Sequence, residues 1–182
     1  MQHCKGKVQL TCKAKSFKQI DQDFQDVEIE GYASTKDLDR YGEAFVDGAW
    51  GKAIKAFMST NPVLLLDHKY NVDSIIGRVT NLYEDAKGLF MTAKISNAPG
   101  LADLRYKVKE GFVSAVSVSG NWDYDKKGVM ITEVTDLYEI SLVGVPANPN
   151  ALITSKSFGD SIETITTSYL RIKQNGQLAI KG

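Results

Sequence analysis

Two histidines stand in this chain of 182 residues, and their surroundings differ sharply. His3 lies in a polar, lysine-rich start expected to fray. His68 ends the run Val63-Leu64-Leu65-Leu66-Asp67-His68, which carries an imidazole from an apolar strand straight into a polar turn. Rigid backbone behind and solvent in front are what a proton-transfer group near neutral pH requires, so His68 is the candidate general base. A hydrogen-bonded surface or core histidine is the plainer reading of the same residue.

A base of this kind serves a hydroxyl nucleophile, and three serines crowd the stretch Gly111-Phe112-Val113-Ser114-Ala115-Val116-Ser117-Val118-Ser119-Gly120. Strand alternation puts Ser117 and Ser119 on one face with Ala115, and Ser114 on the other with Val116 and Val118. The Ser117 face is small and polar, which suits a groove floor better than a packed interior. A base also needs a partner that holds its tautomer, and with His3 the only other histidine a carboxylate is the expected third group. Glu139 interrupts the apolar run Leu137-Tyr138-Glu139-Ile140-Ser141-Leu142-Val143, where a carboxylate is costly unless paired. Alternation with Leu137 and Ser141 leaves an outward-facing surface role open for it. Asp67 is a poorer partner because adjacent side chains on a strand point apart. Asp67, His68 and Asp73 match no common ligand pattern, so neither a metal nor another cofactor is expected.

The elements that must position these groups read mostly as strands. Val8, Leu10 and Cys12 alternate with polar residues, and 27–33 repeats the pattern after a polar connection at 19–25. Residues 34–42 read as a loop leading into 43–50. The spacing of Ala53, Ile54, Phe57 and Met58 predicts a short helix over 51–59, ahead of the His68 strand. Residues 75–83 and 89–95 form an expected hairpin about a polar turn ending in Gly88. Pro99 opens a helix with Leu101, Leu104 and Val108 on one face and Gly111 as its stop. The serine strand is expected over 112–120, followed by a turn at 123–128. Further strands are expected over 129–134 and 137–145, and an appended helix over 157–173.

The expected class is mainly β (α+β), an antiparallel β-barrel of about seven strands with surrounding helices. Residues 1–153 are read as one barrel domain and 154–182 as a C-terminal helical extension or processed tail.

Composition narrows the function classes. Lys+Arg and Asp+Glu both total 22, so the formal charge is zero and no basic stripe for nucleic acid is expected. No apolar run has the length of a membrane span, and the start lacks a signal-peptide segment, so an intracellular protein with no membrane association is expected. Cys4 and Cys12 belong to no CxxC pair and are read as reduced and structural.

In their order, several segments resemble the bacteriophage prohead protease family, serine peptidases that trim scaffold and capsid proteins during head maturation. The likeness runs from about Val27 to Ala151. It is carried by Ile29-Glu30-Gly31-Tyr32-Ala33-Ser34-Thr35, by Leu65-Leu66-Asp67-His68, and by Ile76-Gly77-Arg78-Val79 with Gly88-Leu89. The helix ending at Gly111 before the serine strand continues it, as do residues 137–143 followed by Pro146-Ala147-Asn148-Pro149-Asn150-Ala151. The resemblance implies His68 as base, Ser117 at the nucleophile position and Glu139 as third member. It also implies a fold similar to the herpesvirus assemblins, barrels with helices outside, whose second histidine this chain cannot supply. Where the family commonly has a Gly-aromatic pair two and three residues beyond the nucleophile, Ser119-Gly120 stands here, which leaves Ser119 beside Ser117 as an alternative.

The implied activity is cleavage of phage scaffold protein and major capsid protein, with self-cleavage in the tail, in the host cytoplasm inside assembling proheads. A homodimer or higher oligomer is implied as well. A second reading is a non-catalytic assembly or scaffolding module on the same barrel, to which the even charge balance and the polar C-terminal helix would also be suited. Tyr32, Phe45 and Trp50 are candidates both for cleft walls and for the core.

Overall fold

The computed structural model describes residues 27–158, which form eight strands and two α-helices. The expectations that fall on His3, Cys4, Cys12, the strand around Val8 and the connection at 19–25 lie outside the described residues. β1 (Val27–Thr35) buries Val27, Ile29 and Ala33 by strict alternation. It pairs antiparallel with β5 (Gly88–Ile95), itself the second arm of a hairpin with β4 (Ile75–Glu84). Glycine is required where that hairpin meets β1, because a Cβ at Gly88 would lie 2.3 Å from the Ser34 carbonyl oxygen.

One strand organises the rest. β7 (Met130–Val143) runs unbroken through the region where two shorter strands were expected. Of Thr135 and Asp136, polar enough to suggest a break, Asp136 pairs with Asn121 of β6 (Ala115–Tyr124) and Thr135 is passed over at a register shift, one of three, beside Ser119, Asn121 and Asp123, that absorb the curvature. The serine strand accordingly starts later and ends later than expected, at Tyr124, where Asp125 ties the turn by accepting from the Val129 and Met130 N–H groups. The other edge of β7 takes two parallel partners, β2 (Ala44–Phe45) near its start and β3 (Val63–Leu66) near its end.

With β8 spanning Ile153–Phe158, the sheet order is β2-β7-β3-β4-β5-β1-β8, with β6 on β7. The result is a curled, mixed half-barrel, which corrects the expected closed antiparallel barrel. Closure fails for a physical reason. Parallel neighbours on one edge of β7 make the sheet mixed, and it stays open because β6 bonds to the far end only through an isolated bridge, Ala115 with Leu152. β8 (Ile153–Phe158) adds to β1 on the edge away from β5. Ser157 and Phe158, expected to open a helix, belong to this strand; the remainder of that expected helix lies outside the described residues.

The core lies inside the curl, where Ile140 and Leu142 of β7, Val116 of β6 and Leu64 of β3 are fully buried. Burial of this kind stabilises by about 1.5–3 kcal/mol per large aliphatic side chain. α1 (Gly51–Ser59) packs Ala53 and Phe57 inward against β7 and β4. Trp50, one residue before it, stacks on Phe45 with ring centroids 4.3 Å apart. α2 (Ala102–Glu110) follows a short turn opened by Pro99 and ends at Gly111, whose φ of +85° is the left-handed stop that favours glycine. Buried Arg105 anchors this helix by donating to the Ser96 and Ala98 carbonyls at 2.7 and 3.0 Å.

Candidate active site

β3 delivers its last apolar residue, Leu66, and the chain then reverses through Asp67 and His68. Both have positive φ, 52° and 55°, and the Lys69 N–H closes the turn on the Leu66 carbonyl at 3.3 Å. Two positive φ values at the central positions are the type I′ pattern, which glycine and asparagine adopt most easily. Each L-residue held there costs about 1–2 kcal/mol. The neighbouring strand holds the turn in place. The Asp67 N–H donates to the Leu142 carbonyl at 2.9 Å, continuing the parallel ladder, and the His68 N–H donates to Ser141 Oγ at 3.1 Å.

The ring is held as firmly as its backbone. His68 Nδ1 lies 2.6 Å from Glu139 Oε1, and Ser141 Oγ donates to the other carboxylate oxygen at 2.5 Å. Ser141 therefore fastens both partners, the acid through its hydroxyl hydrogen and the histidine backbone through its oxygen. The two sides of the pair differ in solvent contact, with the imidazole side chain 36% exposed and the carboxylate 1%. An ionised carboxylate only accepts, so the neutral ring keeps its proton on Nδ1 and presents the Nε2 lone pair elsewhere. The Glu139 hydrogen bond raises the His68 pKa above its ordinary value, partial burial opposes it, and the charges of Glu139 and Asp67 add to the rise.

The β6–β7 register brings the serines alongside. Ser117 lies directly across from Ser141, and Ser119 across from Glu139, on the same face of the sheet. Ser119 Oγ shares a 2.6 Å hydrogen bond with the Tyr70 hydroxyl. The Ser117 hydroxyl has no hydrogen-bond partner among the described residues. His68, Ser117 and Ser119 line one cleft of about 340 Å³, together with Phe45, Trp122 and Asn148. Ser114 is apart from this group, and its carbonyl accepts from the Ile153 N–H. Of the aromatic wall candidates, Phe45 lines the cleft, Trp50 is core, and Tyr32 bonds Asp85.

Several contributors were not singled out in the sequence. Ser141 sits two positions from Glu139, so strand alternation alone puts it on the same face. Asn148, buried in the Pro-Ala-Asn-Pro segment, donates to the Thr35 and Asp37 carbonyls and accepts from Thr35 Oγ1 and the Asn150 N–H. It pins one wall of the cleft to the end of β1. Among the described residues, no three His, Cys, Asp or Glu side chains group so as to hold a metal ion.

The family model for the caudovirus prohead serine protease matches residues 14–165. The chain belongs to this family. The prohead protease of Enterobacteria phage HK97 is 31% identical over 144 residues, 75% of this chain and 63% of the relative. The prohead protease of Escherichia phage T5 is 29% identical over 134 residues, 69% of this chain and 60% of the relative. The chain thus spans just under two thirds of the length of these curated relatives. In fold it is similar to the bacteriophage T4 capsid assembly protease, with a TM-score of 0.53 and 16% identity over 65% of this chain and 82% of that one.

Proposed function

We propose that this member of the prohead protease family is a serine endopeptidase of phage head maturation, with Ser117 as nucleophile, His68 as general base and Glu139 as the group that orients and charges the base. The observation that carries the reading is the 2.6 Å contact of His68 Nδ1 with a buried carboxylate, in a cleft that the uncommitted Ser117 hydroxyl also lines.

In this mechanism Ser117 Oγ attacks a peptide carbonyl carbon while its proton passes to His68 Nε2. Glu139 holds the ring and stabilises the imidazolium that forms. The proton then goes to the leaving amine nitrogen as the C–N bond breaks, leaving an acyl-enzyme. Water repeats the sequence, giving its proton to His68 and its oxygen to the acyl carbon, and Ser117 is regenerated. Ser119 is the less suitable nucleophile because its hydroxyl is engaged by Tyr70.

The substrates we assign are the phage scaffold and major capsid proteins, with self-cleavage in the segment beyond Ala151, inside assembling proheads in the host cytoplasm. A homodimer or higher oligomer is part of the same reading. The test is labelling with a fluorophosphonate followed by peptide mapping, alongside co-expression with scaffold and capsid precursors. A single adduct on Ser117 and precursor processing lost in Ser117→Ala are expected. Stoichiometric binding of capsid protein with neither labelling nor cleavage would replace the enzyme by a non-catalytic assembly module.

A further inference from the structure

Part of the cleft lining carries acidic side chains. Asp39 and Glu43, both half-buried, line the cleft, and no lysine or arginine does so among the described residues. The two acids belong to one tight turn. Asp39 Oδ1 accepts from the N–H groups of Tyr41 and Glu43 at 2.8 and 2.9 Å, and the Asp39 N–H donates to the Glu43 carbonyl at 2.8 Å. The nearby cation is diverted, because Arg40 Nη1 donates to the Pro146 carbonyl. Their positions are fixed while part of their acceptor capacity is unused. A relay runs from the Trp122 indole N–H to the Tyr124 hydroxyl and on to Glu43 Oε1, each step 2.9 Å. The second carboxylate oxygen of Asp39 and of Glu43 has no hydrogen-bond partner among the described residues.

The surroundings of these acids are aromatic. Tyr41, Phe45 and Trp122 line the same cleft, Phe45 and Trp122 in edge-to-face contact at 5.7 Å. Fixed carboxylates beside aromatic faces, with no lysine or arginine among the described residues lining the cleft to neutralise them, make a receptor for a long cationic side chain. An ammonium or guanidinium would gain charge-assisted hydrogen bonds from the acids and cation–π attraction from the rings, while its methylene stem lies along apolar surface. An acidic side chain would meet two like charges in a partly desolvated pocket.

We infer that the cleft selects a lysine or arginine of the substrate near the scissile bond, with Asp39 and Glu43 as the residues that set this preference. The inference rests on the reading of the cleft as a peptide-binding active site, and it is tested in two arms.

In the first arm, Ser117→Ala protein is titrated with a fluorescent peptide library varied at one position at a time, which reads binding whether or not the chain cleaves. Lysine and arginine peptides should bind about tenfold tighter than their norleucine counterparts at low salt. That margin should narrow as ionic strength rises. Asp39→Asn and Glu43→Gln keep the acceptor oxygens used in the turn and the relay, so each should reduce the margin without unfolding the wall. Glu43→Lys should move the preference toward acidic peptides.

In the second arm, the parent protein digests the same library, and the basic position should recur beside the cleaved bond. Binding or cleavage indifferent to side-chain charge, or a margin unmoved by both amide variants, would overturn the inference and leave the serine peptidase reading intact. Selective binding with neither cleavage nor fluorophosphonate labelling would overturn that reading and leave the acidic receptor.

Discussion

Glu139 reaches His68 Nδ1 at 2.6 Å from a fully buried position on β7, so the acid is screened from water while the ring it holds is open to the cleft. The arrangement separates two tasks. On the proposed mechanism the carboxylate sets tautomer and charge, and the imidazole meets the substrate.

That separation fixes the pH behaviour. The Glu139 hydrogen bond raises the His68 pKa above 6.5, so the neutral base is generated only at pH above that ordinary value. The acid limb of kcat/KM for peptide hydrolysis should therefore lie above pH 6.5. Glu139→Gln removes the charge and should move the limb to lower pH while reducing the plateau about a thousandfold or more, as loss of tautomer control does in other triads. The stability linkage has the corresponding sign. A raised histidine pKa contributes stability that is full below about 6.5 and lost as pH rises through the folded value. Urea midpoints measured across pH 5 to 9 should fall toward the alkaline side in the parent, and fall less in Glu139→Gln.

The two serines make opposite predictions. Ser117→Ala should abolish fluorophosphonate labelling and hydrolysis, whereas Ser119→Ala removes only a hydroxyl bound to Tyr70 and should retain activity within about tenfold. Active-site titration of both variants checks this. Labelling that persists in Ser117→Ala and disappears in Ser119→Ala would exchange their roles.

Backbone strain at the turn is measurable by substitution. Asp67 has a φ of 52°, where a β-branched residue is a genuine outlier. Asp67→Val should destabilise by about 1–2 kcal/mol, and Asp67→Gly should be neutral or slightly stabilising, since relief of strain offsets its added chain entropy. Equilibrium urea unfolding would separate the pair.

The serine strand depends on a close crossing. A Cβ at Gly120 would lie 2.0 Å from the Asp136 carbonyl oxygen, on the backbone of β7 where no side chain can yield. Gly120→Ala should cost more than about 2 kcal/mol or shift the strand. A shifted strand moves Ser117 relative to Ser141 and should show as reduced labelling in protein that still elutes as folded.

Asn148 predicts a different defect. Asn148→Ala deletes contacts to Thr35, Asp37 and Asn150, among them the amide donation to the carbonyl of buried Thr35, which should cost about 1–3 kcal/mol. Because Asn148 also lines the cleft, KM for peptide should rise as well.

The legible parts of the fold were those with a local signal. Alternation marked β1, Gly88 ended the β4–β5 turn, and Gly111 stopped α2, each a property of a few adjacent residues. Parallel pairing of β3 with β7 has no such signal, since it joins segments far apart in the chain. The polar Thr135 and Asp136 imitated a break in β7, although their neighbours Val134 and Leu137 are buried and carry the strand through. β8 was missed because its middle residues are all exposed and only its ends are half-buried, so no alternation betrays it. At the site, His68 and Glu139 could be selected as residue types, but their contact could not be read from spacing. Ser117 and Ser119 share a face, and the difference in their surroundings, the Tyr70 contact of Ser119, has no signal in the sequence.

His68 and Glu139 are 71 positions apart, and the parallel ladder that unites them is the kind of non-local contact that folding completes slowly. Before it forms, nothing compels Asp67 and His68 to keep their left-handed backbone, and the imidazole rides on a relaxed tether. A chain emerging from the ribosome therefore carries every reactive group yet no assembled centre. On the proposed function, cleavage would have to wait until the β3–β7 ladder is complete.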